Sequence, residues 1–356
     1  MAKPDPKKIA LLLPSLKFGG AERVALNLAK TLQENGAQID VLLMSKEGEF
    51  LAEAELNFNV VDLKCNKTYK LPAKLIFYFI SRRPNVLLSS FWKLNLCACL
   101  ARIAFPSIRL LLWEHSPPSK SKNSPKWLYA FTVSFLYQFS SKVVAVSTGV
   151  YNDINRWSLG LNRKLVVIFN PITPPDRRLL GKVKSDQVKQ IIWVGRLDEP
   201  KNPGLLLEAF SIVQSTYDVS LLYAGDGPLR EKLERRCQDL GLFERVKFIG
   251  FYPYPYELIA VSDLLVISSD REGLPSVIIE AMYCGLRVVS TDCGEGIHDI
   301  LLDNRYGTIV PVEDKFALAK AIESELKIFP VPAEQMKGAE RFLPQVIAQQ
   351  FMATLR

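Results

Sequence analysis

Histidine is nearly absent from this chain: His115 and His298 are the only two among 356 residues. The six cysteines (65, 97, 99, 237, 284 and 293) contain no C-x-x-C pair. Neither histidine stands at metal-ligand spacing from them, so a structural zinc site or redox dithiol is not expected. The thiols read as small buried residues in a reducing compartment. No apolar run approaches the length that spans a bilayer, and the run at 9–13 is too short for a signal-peptide core. A G-x-G-x-x-G fingerprint is missing. So is any D-x-D triplet that could hold a divalent cation, and neither cofactor nor metal is expected. Helix-turn-helix, zinc-finger and RNP patterns are also lacking, which argues against nucleic acid as a partner.

What is present describes a globular protein with two cores. Hydrophobic residues make up 48% and charged residues 23%, and this length is enough for two domains. The formal net charge is +8, which suits an anionic ligand or an anionic membrane surface. Cations are densest in the first half, at Lys64, Lys67, Lys70, Lys74, Arg82 and Arg83, then Lys120, Lys122 and Lys126. Clusters of this kind favour a membrane-facing side.

Short apolar runs alternate with helical periodicity along the whole chain. Runs at 9–13, 39–44, 85–89, 109–113, 143–146 and 165–169 read as strands of a first parallel sheet. Those at 191–195, 221–224, 264–267 and 286–290 belong to a second. Helices are expected at 21–35, 71–83, 127–139 and 205–213, with Ser147-Thr148 capping another. Pro171, Pro174 and Pro175 stop both helix and sheet, which makes 170–175 the linker. Residues 119–126 read as a mobile basic loop.

The most informative stretch is 268–282, Ser-Ser-Asp-Arg-Glu-Gly-Leu-Pro-Ser-Val-Ile-Ile-Glu-Ala-Met. It follows a buried strand, and Pro275 falls where a first helical turn tolerates a missing N–H. Glu280 sits in an apolar helix and must be hydrogen-bonded or paired. Glu272, just before the helix, can reach a ligand held over its N-terminus, where free N–H groups attract an anion. Gly19-Gly20 stands between the first strand and first helix, where backbone can approach a ligand closely. Arg196 and Lys201 leave the carboxyl end of the first strand of the second half, where open α/β sheets bind ligands. One by its fork and the other as a point charge, they would clamp a diphosphate. His115 ends a strand in the polar triplet Glu114-His115-Ser116, and His298 reads as structural.

The E-x7-E stretch from Glu272 to Glu280, the Arg196-x4-Lys201 spacing and the Gly19-Gly20-Ala21-Glu22 loop together resemble the retaining, nucleotide-sugar-dependent glycosyltransferases of family 4. The resemblance covers essentially the whole chain, densest at 191–314 and loosest at 46–106. It implies the α/β GT-B fold, two Rossmann-like parallel-sheet domains facing each other across a cleft and hinged at the linker. Residues 1–172, completed by a C-terminal helix at 340–356, would form the acceptor-side domain, and 173–339 the donor-binding one.

The resemblance also implies roles. Arg196 and Lys201 would neutralise the departing diphosphate, Glu272 hold the donor-sugar hydroxyls, and His115 contact that sugar. Gly19, Gly20, Gly273, Leu274 and Pro275 would lie against the donor. Glu280 would take the ribose hydroxyls, and Gly250 and Phe251 the base. The expected reaction is metal-independent transfer of a hexose or N-acetylhexosamine from a nucleotide sugar, UDP-linked in this reading, with retention of configuration. The acceptor would be a glycan or lipid-linked glycan of the cell envelope, made by a cytoplasmic enzyme touching the anionic inner membrane face. The Asp292-Cys293 turn points the same way. Two other readings remain open, a nucleotide-sugar-binding scaffold without turnover and a nucleotide-sugar epimerase.

Overall fold

The computed structural model describes residues 7–17, 19–115, 126–172, 174, 188–328 and 332–355. The chain divides into two compact units, Met1–Thr173 with Phe342–Arg356, and Pro174–Arg341. The expected basic loop lies outside the described residues except for Lys126, as does part of the linker stretch.

Unit 1 contains seven parallel strands, β1 (Lys8–Leu13), β2 (Gln38–Leu43), β3 (Asn59–Asp62), β4 (Val86–Ser90), β5 (Arg109–Glu114), β6 (Lys142–Ala145) and β7 (Leu165–Val167), ordered β3-β2-β1-β4-β5-β6-β7. The runs Leu11-Leu12-Leu13 and Leu110-Leu111-Leu112 are continuous rather than alternating because these strands are covered on both faces. Its first helices are α1 (Gly20–Glu34), α2 (Leu51–Asn57), α3 (Leu71–Arg82) and α4 (Trp92–Ile103). They are followed by α5 (Lys126–Phe131) and α6 (Thr148–Trp157). Gly36, at φ +90°, turns the chain out of α1. The Ser147 hydroxyl caps α6 by accepting the Val150 N–H at 3.2 Å.

Two helices differ from expectation. The 127–139 stretch is not one α-helix: α5 passes into a π-helical turn, Thr132–Leu136, and then a 3-10 turn, Tyr137–Phe139. The Thr132 hydroxyl donates to the Leu128 carbonyl at 2.7 Å, competing with the ladder at the point of widening. The C-terminal stretch is broken at Leu343, which is extended (φ −62°, ψ 144°) because Pro344 bars it from helical backbone.

Unit 2 contains six parallel strands, β8 (Lys189–Val194), β9 (Val219–Ala224), β10 (Val246–Phe248), β11 (Leu264–Ile267), β12 (Arg287–Thr291) and β13 (Gly307–Val310), ordered β10-β9-β8-β11-β12-β13. Sequence reading missed three strands, β3, β10 and β13. Its helices are α7 (Pro203–Val213), α8 (Arg230–Asp239), α9 (Tyr256–Ile259), α10 (Ser276–Tyr283), α11 (Glu295–Leu301), α12 (Lys315–Lys327) and α13 (Pro332–Ala339). Trp193, Phe210 and Tyr223 centre the core. Near it the buried Glu325 of α12 accepts from the Arg287 guanidinium and, at 2.6 Å, from the Thr308 hydroxyl. The final helix, α14 (Pro344–Thr354), belongs to unit 1 and packs on α1.

In both sheets the strand order reverses once, between β1 and β4 and between β8 and β11. Such a reversal leaves a crevice at the carboxyl ends of the two strands.

Candidate functional site

In unit 2 the loops leaving β8 and β11 flank the reversal. The β8 loop carries Arg196 and, in a 3-10 turn spanning Glu199–Lys201, Lys201. The β11 loop carries Glu272, and the two loops are bound together. The Trp193 indole donates to Ser268 Oγ at 3.1 Å, and that hydroxyl donates to the Lys201 carbonyl at 3.2 Å. The Asp270 N–H donates to the Pro200 carbonyl at 3.0 Å. From β12 the Thr291 hydroxyl donates to the Ser269 carbonyl at 2.6 Å, and the Glu272 N–H donates to the Cys293 carbonyl at 2.8 Å. The loop that carries Glu272 is thus tied to the loop after β8 and to the end of β12.

Its side chain is engaged as well. Lys201 Nζ forms an ion pair with Glu272 Oε1, which also accepts from Ser269 Oγ at 2.9 Å. Arg196 pairs with Asp198, its Nε donating at 2.6 Å, and Asp198 also caps the 3-10 turn through the Lys201 N–H. The expected free cationic clamp is therefore a pair of cations already held by carboxylates. The Arg196 side chain remains 73% exposed, open to a ligand. The Cys293 thiol is pushed up to about 12 by burial and then by the Glu272 carboxylate, which makes it inert.

Glycines shape the same edge. A Cβ on Gly225 would lie 1.7 Å from the Gly195 carbonyl oxygen, and one on Gly296 would lie 2.0 Å from that of Gly273. Gly250 has φ +78° and bridges to Gly225, and Arg230 holds this turn by donating to Asp226 and the Phe248 carbonyl. Phe251 beside it is 54% exposed. Pro275 is the N-cap of α10 and not its first helical residue, one position earlier than the sequence suggested. Leu274 and Pro275 are buried, Gly273 is half-buried, and Glu280 is half-buried on α10. One turn on, burial and the Glu280 carboxylate push the Cys284 thiol up to about 12.

Unit 1 has its own polar edge. Gly19 is extended at the N-cap of α1, and the Glu22 carboxyl folds over it, 2.1 Å from where a Cβ would stand. Burial raises the Glu22 pKa. Gly20 opens the helix with nothing near its face. At the ends of β4 and β5, Ser89 Oγ, Ser90 Oγ, Trp92 Nε1 and both ring nitrogens of His115 are buried without a hydrogen-bond partner among the described residues. Buried groups of this kind are normally satisfied, so the cluster is suited to a hydroxyl-rich ligand or ordered water. The His115 ring lies 4.5 Å from the Trp113 ring centre, and burial lowers its pKa to about 3, so it is neutral.

Glu114 is the last residue of β5 and is buried, not part of an exposed polar exit. It accepts from Asn95 Nδ2 at 2.8 Å and from the Tyr137 hydroxyl. Burial raises its pKa to about 7. Asp198, Ser269, Gly225 and Gly296 were missed by sequence reading, and of these only the glycines left a local signal. His298 lies between Asp292 and Asp303, 3.0 Å from each, in keeping with a structural role.

Residues 18–174 match the family described as "Glycosyltransferase Family 4", and residues 180–340 match "Glycosyl transferases group 1". The chain is 27% identical over 340 residues to the Campylobacter jejuni N-acetylgalactosamine-N,N'-diacetylbacillosaminyl-diphospho-undecaprenol 4-alpha-N-acetylgalactosaminyltransferase, covering 90% of each protein. It is 27% identical over 327 residues to the lipopolysaccharide core biosynthesis glycosyltransferase LpsE of Rhizobium meliloti, covering 86% of this chain and 85% of that one. Among solved structures, a Rickettsia africae glycosyltransferase superposes with a TM-score of 0.85 at 17% identity, covering 99% of this chain and 98% of that one. Anabaena HepE in complex with UDP and glucose superposes with 0.79 at 22% identity, covering 98% and 99%. The chain therefore belongs to the family 4 glycosyltransferases and has their GT-B fold.

Proposed function

We propose that this enzyme moves a hexose or N-acetylhexosamine from a UDP-sugar to a lipid-linked glycan of the cell envelope, retaining configuration and using no metal ion. The observation that carries this reading is the Lys201–Glu272 pair at the carboxyl ends of β8 and β11, with Arg196 exposed beside it. Relatives support the substrate class. The Campylobacter protein is named for a diphospho-undecaprenol acceptor, the Rhizobium protein for lipopolysaccharide core synthesis, and HepE was crystallised with UDP.

Departure of the nucleotide leaves negative charge on the diphosphate. Arg196 would meet it with a guanidinium fork and Lys201 with an ammonium, in a site arranged before the charge develops. Glu272, held in place by Lys201 and Ser269, would accept hydrogen bonds from the sugar hydroxyls. The first turn of α10 would offer N–H groups to a phosphate, Glu280 would take the ribose hydroxyls, and Gly250 and Phe251 would face the base. His115, neutral, can donate through one ring nitrogen and accept through the other, as sugar hydroxyls require. The bond from the anomeric carbon to phosphate oxygen would break as the acceptor oxygen bonds on the same face. The acceptor proton would pass to the departing phosphate. Glu272 is engaged by Lys201 and Ser269, which suits binding better than covalent attack.

The test is release of free nucleoside diphosphate from a panel of UDP- and GDP-sugars, with and without membrane lipid extract and with and without chelator. Release that needs a UDP-sugar and lipid, survives chelation and yields an axially linked product from an axial donor is expected. Binding without release would favour the scaffold reading.

A further inference from the structure

Between Leu63 and Asn152 the chain holds a single acidic residue, Glu114, and it is buried. The same segment carries cations at Lys64, Lys67, Lys70, Lys74, Arg82, Arg83, Lys93 and beyond. It builds α3, α4, α5 and the π-helical turn, and α4 packs against both α3 and that turn. Their outer sides are apolar where a water-facing surface should be polar. Phe77 is 72% exposed, Ile80 59%, Trp127 71% and Phe135 55%, with Leu100, Ile103 and Phe131 also exposed. Trp127, Phe131 and Phe135 recur every four residues and so form one stripe. Beside the end of α3, at the amino ends of β4 and β5, lies a groove of about 1030 Å³ with walls from Phe79, Ile80 and Phe105 and cations from Arg83 and Arg109.

We propose that this face of unit 1, the outer side of α3, α4, α5 and the π-helical turn, is the surface by which the enzyme docks on an anionic phospholipid leaflet. The proposal deepens the lipid-linked-acceptor reading and rests on it. An exposed apolar patch of this extent marks an interaction site, and aromatic residues among lysines and arginines match the interfacial zone of a bilayer. A second copy of this chain is the poorer occupant, because two faces whose own helices carry cations and no exposed acid repel each other. Arg83 is suited to a lipid phosphate at the rim: it is exposed, ends α3 at φ +50° and has no ion-pair partner among the described residues.

The experiment is co-sedimentation of the full chain with vesicles of phosphatidylcholine, alone or mixed with phosphatidylglycerol, at low and high salt. Binding only to the mixed vesicles, weakened by salt, is expected, with a blue shift of tryptophan emission that Trp127→Phe removes. Lys74→Ala with Arg83→Ala should weaken partition roughly 30-fold, and Phe131→Ser with Phe135→Ser should abolish it. Lys232→Ala with Arg235→Ala, in unit 2, should leave it unchanged. Equal binding to neutral vesicles, no binding at all, or wild-type binding by the unit 1 variants overturns the proposal. UDP binding without vesicles is measured in parallel for every variant. If UDP binds and vesicles do not, the docking face is wrong and the donor-site reading survives. If vesicles bind and UDP does not, the reverse holds.

Discussion

Lys201 and Glu272, 71 residues apart in the chain, form an ion pair at the edge of the second sheet. The glutamate is 14% and the lysine 33% exposed, so neither charge is fully solvated and each depends on the other. A hydrogen bond from the Ser269 hydroxyl to the Glu272 carboxylate, and one from the Glu272 N–H to the Cys293 carbonyl, make the pair part of a fixed frame, not a chance surface contact.

If the pair acts as one unit in catalysis, removing either member should remove most of what both contribute. Lys201→Ala and Glu272→Gln are each expected to lower kcat/KM by about 10²–10³. The double variant should fall well short of the product of the two losses. Steady-state transfer kinetics of the three proteins decide this, and independent, multiplicative losses would show that the two side chains do not cooperate.

Glu114 gives the stability a pH signature. Its pKa is raised to about 7 in the folded chain, so between the ordinary carboxyl value and pH 7 the native state holds a proton that the unfolded chain releases. Stability from this group is therefore full at low pH and lost as pH rises through that window. Glu114→Gln keeps an oxygen to accept from Asn95 and Tyr137 without the buried charge. Against wild type it should be more stable by roughly 1–3 kcal/mol at pH 8 and equal at pH 4. Denaturant midpoints at the two pH values measure it. The lowered pKa of His115 acts with the opposite sign in both proteins and cancels in the difference.

Two glycines should respond oppositely to the same methyl group. Gly225→Ala drives a Cβ into the Gly195 carbonyl at 1.7 Å, and the cost should be about 2 kcal/mol or more because backbone has to move. Gly20→Ala meets nothing and begins a helix, so stability should hold or rise by up to about 1 kcal/mol. If a diphosphate lies over Gly20, transfer falls in that stable variant. Thermal unfolding paired with activity separates the two effects.

The Arg287–Glu325 pair should prove structural. Glu325 is 2% and Arg287 21% exposed at the side chain, so Glu325→Ala leaves a cation largely buried without its partner. A loss of about 3 kcal/mol is expected, while Thr308→Val, which removes one neutral donor, should cost about 1 kcal/mol. Urea midpoints check both, and UDP binding should change little in either variant at temperatures where it stays folded.

Much of the architecture was readable because buried parallel strands are continuous apolar runs. Leu264-Leu265-Val266-Ile267 coincides with β11 residue for residue. Strands β10 and β13 were not readable, because Lys247 interrupts the first and Gly307-Thr308 opens the second, so neither is a continuous apolar run. The single helix expected over 127–139 failed at Thr132, whose hydroxyl competes with the backbone in a way that apolar spacing does not record. In the site, Lys201 and Glu272 were legible as residues and their union was not. Asp198 was invisible because Asp beside Glu and Pro in a loop looks like any solvated acid.

The order of residues along the chain determined by itself where the continuous apolar strands fall and which carboxylates and cations stand at their ends. Those properties depend on local periodicity and on the chemistry of a few neighbours. Tertiary structure alone decided which distant loops meet: β8 lies beside β11 through a crossover, and this brings Lys201 to Glu272 and closes Asp198 on Arg196. It also decided that Glu114 is buried and that Phe77 and Trp127 are not. Burial depends on what the rest of the fold stacks against a side chain, which no window of sequence contains.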